Sequence, residues 1–237
     1  MGSLDSLLTR QVSKRGLVAK VGTDTPVAIR LRALNAAGAI TSVTVTTATN
    51  IVIISANGGT DTYLFSSYAT VGALVDAING DAMFEARVLD SLRSYATADQ
   101  FVTGVISASS TDGISYYDVE VDTSEALYFA VRLSQDRSVG ENMAKGSHRI
   151  LLNQLKYYCD FGTAAADSVQ VWESKGTTET QLLGYLSVDT TATTINWASG
   201  EGWLTSAEGA ELIVVIKDAG TLADANTNYL ELTGFAE

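Results

Sequence analysis

One cysteine, one proline and one histidine stand in 237 residues, and each scarcity removes a class of explanation. A lone Cys159 forms no intrachain disulfide and gives no sign of an oxidising compartment. In the apolar run "LKYYCDF" it reads as a small core residue. One histidine and one cysteine exclude a His/Cys-rich zinc site. His148, in "GSHRI", has Ser147 beside it and Cys159 further on. No nucleophile-elbow signature accompanies it, so it reads as a linker or surface residue and not as a catalytic base. A single proline beside twenty glycines points to turns built from Gly, Asn and Asp. No Gly-x-Gly-x-x-Gly or P-loop cradle for phosphate occurs, and no cofactor is expected. No run approaches the roughly 18 apolar residues of a membrane span. "MGSLDSLLTRQVSKRG" lacks the apolar stretch of a signal peptide, so no membrane partner is expected. The opening "MGSLDS" fits only a loose myristoylation pattern, with no second anchor in view.

What the chain does have is acid. Asp and Glu number 27 against 15 Lys and Arg, a formal net charge of −12, which argues against nucleic acid as a partner. The distribution is uneven. Residues 1–32 hold Arg10, Lys14, Arg15, Lys20, Arg30 and Arg32 against Asp5 and Asp24. A basic leading segment on an acidic body suits an arm that grips an acidic neighbour, and equally a solvated terminus. Apolar residues make up 46% and charged residues 18%, enough for a folded core.

Residues 1–23 read as an extended basic arm. From Pro26 the pattern is strand: in "PVAIRLRAL", Val27, Ile29 and Leu31 alternate with Ala28, Arg30 and Arg32. "SVTVTT" and "NIVIIS" follow. "ANGGTD" then offers Asn57-Gly58-Gly59 for a tight hairpin, with "DTYLF" as the returning strand.

The stretch "TVGALVDAING" breaks the rhythm. Val71, Leu74, Val75 and Ile78 fall at i, i+3, i+4 and i+7, one apolar stripe of a helix over about 70–79. Thr70 is the expected N-cap. Gly72, Asp76 and Asn79 are expected to face away from the stripe, and Gly80 to end the helix in a left-handed turn. So short a helix is marginal alone. Burying its four stripe residues contributes roughly 6–12 kcal/mol, at about 1.5–3 each, against the ~1 kcal/mol cost of Gly72. Docking on a sheet therefore decides whether it forms. Its expected role is a lid, without chemistry.

Strand patterns resume in "FEARVL", "FVTGVIS", "SYYDVEV" and "ALYFAVRL". "SQDRSVGENMAKGSH" loses periodicity, which places a domain boundary there. The expected division is a mainly β domain over 24–140, a linker at 141–148 and a second domain over 149–237. Short strands continue in that last block: "RILLNQLKYYCDF", "SVQVWES", "QLLGYLSV", "TTINW", "ELIVVIK" and "NYLELTGF". The expected fold is mainly β: an N-terminal α+β domain with one capping helix, then an antiparallel β-sandwich.

Two strands are apolar on both faces. In "ELIVVIK", Leu212, Val214 and Ile216 oppose Ile213 and Val215; in "NIVIIS", Ile51 and Ile53 oppose Val52 and Ile54. A two-layer sandwich buries one face of each sheet, so the second needs a helix, another domain or another subunit. Ile213 and Val215 are thereby interface candidates, together with Arg10, Lys14 and Arg15 of the arm, and a homo-oligomer is expected.

Candidate chemistry is sparse. Asp118, Glu120 and Asp122 alternate in "DVEVD"; they suit calcium ligation, but a solvated row that discourages edge pairing is the favoured reading. Glycoside hydrolysis needs two carboxylates across a cleft, and nothing in the spacing nominates a pair. Trp197 and Trp203 bracket the Gly-rich "WASGEGW", where exposed rings would stack on a sugar, against the default of core packing.

"ATVGALVDAINGDAMFEARVLDSL", a Thr-capped helix ending in Ile-Asn and followed by Phe-Glu-Ala-Arg, resembles a module of tailed-bacteriophage virion structural proteins. "HRILLNQLKYYCDFG", "SVQVWE", "ELIVVIKDAG" and "NYLELTGFAE" are similar to β-sandwich domains of the same class. These are packing patterns, and they carry no catalytic residues across. The resemblance implies a non-enzymatic virion component, a decoration or cement protein on the capsid surface whose partners are the major capsid protein or neighbouring subunits. A carbohydrate-binding sandwich using Trp197 and Trp203 is the alternative.

Overall fold

The computed structural model describes residues 16–21, 27–36, 38–57, 59–111, 114–122, 128–133, 150–158, 168–187, 193–196, 203–204, 206, 210–217 and 229–236. The protein is mainly β, and the described residues hold one α-helix and antiparallel pairing only. It divides into two compact units. One is built on Thr25–Ala130, with residues 139–143. The other gathers the residues up to Asp24, Val131–Ser138 and those from Ala144 onward.

The first strand corrects the expected arm over 1–23. β1 (Gly16–Val21) pairs antiparallel with Tyr229–Ala236, from Gly16 opposite Phe235 to Val21 opposite Leu230. Backbone groups at 16–21 are therefore tied into a sheet made by the far end of the chain. Arg10, Lys14 and Arg15 lie outside the described residues.

The Thr25–Ala130 unit contains β2 (Val27–Ala33), β3 (Ile40–Thr46), β4 (Asn50–Ser55), β5 (Thr60–Leu64), helix α1 (Val71–Asn79), β6 (Phe84–Val88), β7 (Gly104–Ile106), β8 (Ala108–Thr111) and β9 (Ile114–Glu120). They form two four-stranded sheets, ordered β6-β2-β9-β8 and β5-β4-β3-β7. Alternation along each strand sends one row of side chains inward. Ile29, Leu31, Phe84 and Val119 of one sheet share a single core with Val43, Val45, Ile51 and Ile53 of the other. Tyr117 spans the two sheets, its hydroxyl donating to the Ile40 carbonyl at 2.8 Å, and burial raises its pKa. The alternation expected in "PVAIRL" breaks at one point. A bulge between Val27 and Ile29 leaves Ala28 fully buried beside Ile29.

Helix α1 forms where its apolar stripe places it, with Val71, Leu74, Val75 and Ile78 all in that core. Thr70 caps it through the Ala73 N–H at 3.2 Å. The earlier orphan N–H groups find carbonyls elsewhere: Val71 donates to Tyr95 at 2.9 Å and Gly72 to Arg93 at 2.8 Å. Gly72 corrects the outward placement, for it is buried against Arg93, and a Cβ there would lie 2.8 Å from the Arg93 Cβ. Gly80 corrects another expectation. Its φ of −71° is right-handed, and its N–H bonds back to Asp76 and Ala77, so the helix ends by tightening its last turn and not by reversing hand.

β10 (Tyr128–Leu133) is followed in the second unit by β11 (Ile150–Tyr158), β12 (Ser168–Lys175), β13 (Thr178–Ser187), β14 (Thr193–Asn196), β15 (Trp203–Leu204), β16 (Glu211–Lys217) and β17 (Tyr229–Ala236). One sheet runs β1-β17-β11-β14 with β15 also on β11; the other runs β10-β16-β12-β13. Strands β11 and β16 bring the two sheets near one another. β10 straddles the division of the chain: Tyr128–Ala130 fall in the first unit and the residues from Val131 in the second, while the strand pairs into the sheet of β16. The expected linker at 141–148 lies outside the described residues.

Candidate functional site

The two doubly apolar strands part ways. In β16, Leu212, Ile213, Val214 and Val215 are each 0% exposed within a single chain. Ile213 and Val215 are thus core residues, and the expectation that they await another subunit is corrected. Apolar alternation on both faces signals that both are covered, and here one chain supplies the cover. In β4 only one face is covered: Ile51 and Ile53 are fully buried, while Ile54 is 37% exposed.

Register shows what surrounds Ile54. Ser42, Thr44 and Thr46 of β3 lie opposite Ile54, Val52 and Asn50 of β4. Those three lie opposite Thr60, Thr62 and Leu64 of β5, and on the other side Val105 of β7 lies opposite Thr44. Directly opposed residues share a face. The outer face of this sheet therefore presents hydroxyls, the Asn50 carboxamide and apolar groups without a charge, with Leu64 44% and Val105 73% exposed.

The other outer face of the same unit is its opposite. Arg30 and Asp118, directly opposed on β2 and β9, form a bidentate pair at 2.7 and 2.8 Å. The Arg30 guanidinium also lies 4.0 Å from the Tyr116 ring centroid. The hydrogen bonds to Asp118, working against burial, raise the Arg30 pKa further above its usual range. Arg32 reaches Glu85 on β6 at 2.5 Å. So two arginines of the basic leading segment are engaged by carboxylates of the chain itself and do not belong to a free arm. The "DVEVD" reading changes as well. β9 lies between β2 and β8, so Asp118 guards no sheet edge. Among the described residues, no group of three or more His, Cys, Asp or Glu is placed to hold a metal ion.

No family model, curated protein or solved structure matches the chain.

Two further polar constellations escaped the sequence pattern. Near the helix end, burial pushes the Tyr63 phenol up to about 12, with the carboxylates of Asp81 and Asp61 and the Tyr68 phenol adding to the shift. A phenol held neutral in this way is neither a base nor a nucleophile at neutral pH. In the second unit, buried Glu173 accepts bonds from the Ser206 N–H at 2.8 Å and from the Ser206 hydroxyl, which ties Ser206 to β12. Neither was legible locally, because the Glu173 and Ser206 partners are 33 residues apart and nothing near either marks the other. His148, Cys159 and Trp197 lie outside the described residues. Trp203 is placed only by its backbone, opposite Leu152.

Proposed function

We propose that the protein is a non-enzymatic structural component of a tailed-phage virion, a capsid-associated decoration or cement protein acting through protein–protein contacts. The observation that carries this reading is the charge-free outer face of β5-β4-β3-β7, with Val105, Leu64 and Ile54 left open to solvent. A cement protein needs a rigid platform with a contact surface. Two sheets closed on one core supply the rigidity, and a pleated face without charges can be buried without stranding an ion. The sequence resemblance supplies the setting. Reading the sheet pairs as sandwich layers agrees with the same class of protein.

Arg10, Lys14 and Arg15 keep their proposed role as an electrostatic grip, but the deletion that tests it must stop at residue 15, because β1 begins at Gly16. Quantitative mass spectrometry of purified particles tests the whole reading. Many copies per particle, lowered by Val105→Lys, is the expected result. Particles that lack the protein, or whose copy number ignores a charge on this face, would remove the basis for it.

A further inference from the structure

Asparagine followed by glycine is the dipeptide that most readily loses its side-chain nitrogen as ammonia, because no side chain on the second residue hinders ring closure. The chain has two, Asn57-Gly58 and Asn79-Gly80. Only the second lies wholly within the described residues, where both of its members are exposed to water at the end of α1. Sequence and exposure mark the pair as labile. Hydrogen bonds decide what the fold does with it.

The reaction has fixed requirements. The Gly80 nitrogen gives its proton to solvent base and attacks the side-chain carbonyl carbon of Asn79. The new N–C bond closes a cyclic succinimide, and the carboxamide C–N bond breaks as ammonia leaves. Water then opens the ring at either carbonyl, leaving aspartate or isoaspartate at the position. Water is the one co-reactant, and nothing is oxidised or reduced.

Each reacting group is occupied in the fold. The Gly80 N–H donates to the Asp76 and Ala77 carbonyls at 2.9 and 3.2 Å, so the proton that must leave is held by two acceptors. The Asn79 carboxamide is clamped to Ala86 through both of its ends, at 3.0 and 2.6 Å. Ring closure therefore requires the last turn of α1 and its contact with β6 to open together.

We propose that Asn79 is a deamidation site guarded by the fold, at which an opening of the β6 edge is recorded chemically and made permanent. The carboxylate left behind only accepts hydrogen bonds. It cannot donate to the Ala86 carbonyl, and it sets a negative oxygen against that carbonyl instead. Isoaspartate also inserts a methylene into the backbone at the helix end. Either product loosens the clamp, which raises the population of the open form. With the ammonia gone, closing cannot restore the contact. The change adds one negative charge to a chain whose formal charge is already −12.

Peptide mass mapping of the full chain, aged in mildly alkaline buffer with and without denaturant, tests this. In denaturant both Asn-Gly pairs react at comparable rates, and Asn57 serves as the reference. In native buffer position 79 reacts at least about tenfold more slowly than in denaturant, since only the open fraction is reactive. Val88→Ala, which removes buried packing from β6 two residues beyond Ala86, speeds the native reaction. Gly80→Ala slows the denatured one. Asn79→Asp lowers the denaturant midpoint below that of the wild type. A native rate equal to the denatured rate, or one indifferent to Val88→Ala, overturns the guard. An Asn79→Asp midpoint equal to the wild type's overturns the claim that the change is locked in. A position 79 that keeps its amide in denaturant, or a denatured rate indifferent to Gly80→Ala, overturns the site itself.

Discussion

The side chain of Asn79, the last residue of the helix, holds both backbone groups of Ala86: its amide donates to the Ala86 carbonyl at 3.0 Å, and its oxygen accepts the Ala86 N–H at 2.6 Å. Among the described residues, β6 pairs on one side only, with β2, and is an edge of its sheet. Asn79 therefore takes the place that one residue of a further strand would occupy. The helix covers the core with its apolar stripe and part of a sheet edge with its final side chain. Asn79→Ala would leave a part-buried N–H and C=O unmatched and should cost about 1–3 kcal/mol. Hydrogen exchange should report it directly, as faster exchange at the Ala86 amide than at Leu31.

Gly72 makes a prediction whose sign opposes helix propensity. Replacing glycine by alanine inside a helix is usually favourable by roughly 1 kcal/mol. Here the added methyl would sit 2.8 Å from the Arg93 Cβ and 2.9 Å from its carbonyl oxygen, the atom that accepts the Gly72 N–H. Backbone is not displaced cheaply, so Gly72→Ala should destabilise by about 1–3 kcal/mol in denaturant titration. Ala73→Gly, one residue further on at an exposed position, should cost about 1 kcal/mol by propensity alone.

Tyr63 predicts an alkaline limit. Its folded pKa is about 12 against an ordinary value of 10, so the unfolded chain releases this proton first as pH rises. The stability linked to Tyr63 is whole below pH 10 and is lost as pH climbs through about 12. Tyr63→Phe should flatten the fall in unfolding free energy over that window. An unchanged pH slope in the variant would show that Tyr63 is not its source.

Ile213, fully buried in the single chain, should behave as core. Ile213→Lys is expected to cost on the order of 4 kcal/mol or more. The loss should be the same at every protein concentration, since no second subunit is involved. Ile213→Val should cost only about 0.5–1.5 kcal/mol.

Much of the fold was legible from local pattern. Period-two apolar alternation located strands such as Asn50–Ser55 and Glu211–Lys217, and the i, i+3, i+4, i+7 stripe located the helix, because side-chain direction follows backbone period. Thr70 was readable as its cap for the same local reason. Two helix details were misread because neither is decided locally. Gly72 faces inward because Arg93, 21 residues away, packs there, and Gly80 keeps a right-handed conformation with its N–H bonded back to the last turn.

The candidate surface was half visible. Ile54 was recognised as an apolar residue on a second face, but so were Ile213 and Val215. A strand with two apolar rows states only that both rows avoid water, not who covers them.

The sequence by itself determined that this is a mainly β chain with an amphipathic helix at Val71–Asn79, an excess of acid and no intrachain disulfide, since those follow from composition and from the period of its apolar residues. Only tertiary structure decided that Gly16–Val21 joins the strand at the chain's other end, that Arg30 is held by Asp118, and that Val215 is sealed while Val105 is open. Pairing across 88 residues, as between Arg30 and Asp118, leaves no mark on the residues next to either partner. It is fixed by register between strands, and register is a property of the folded sheet.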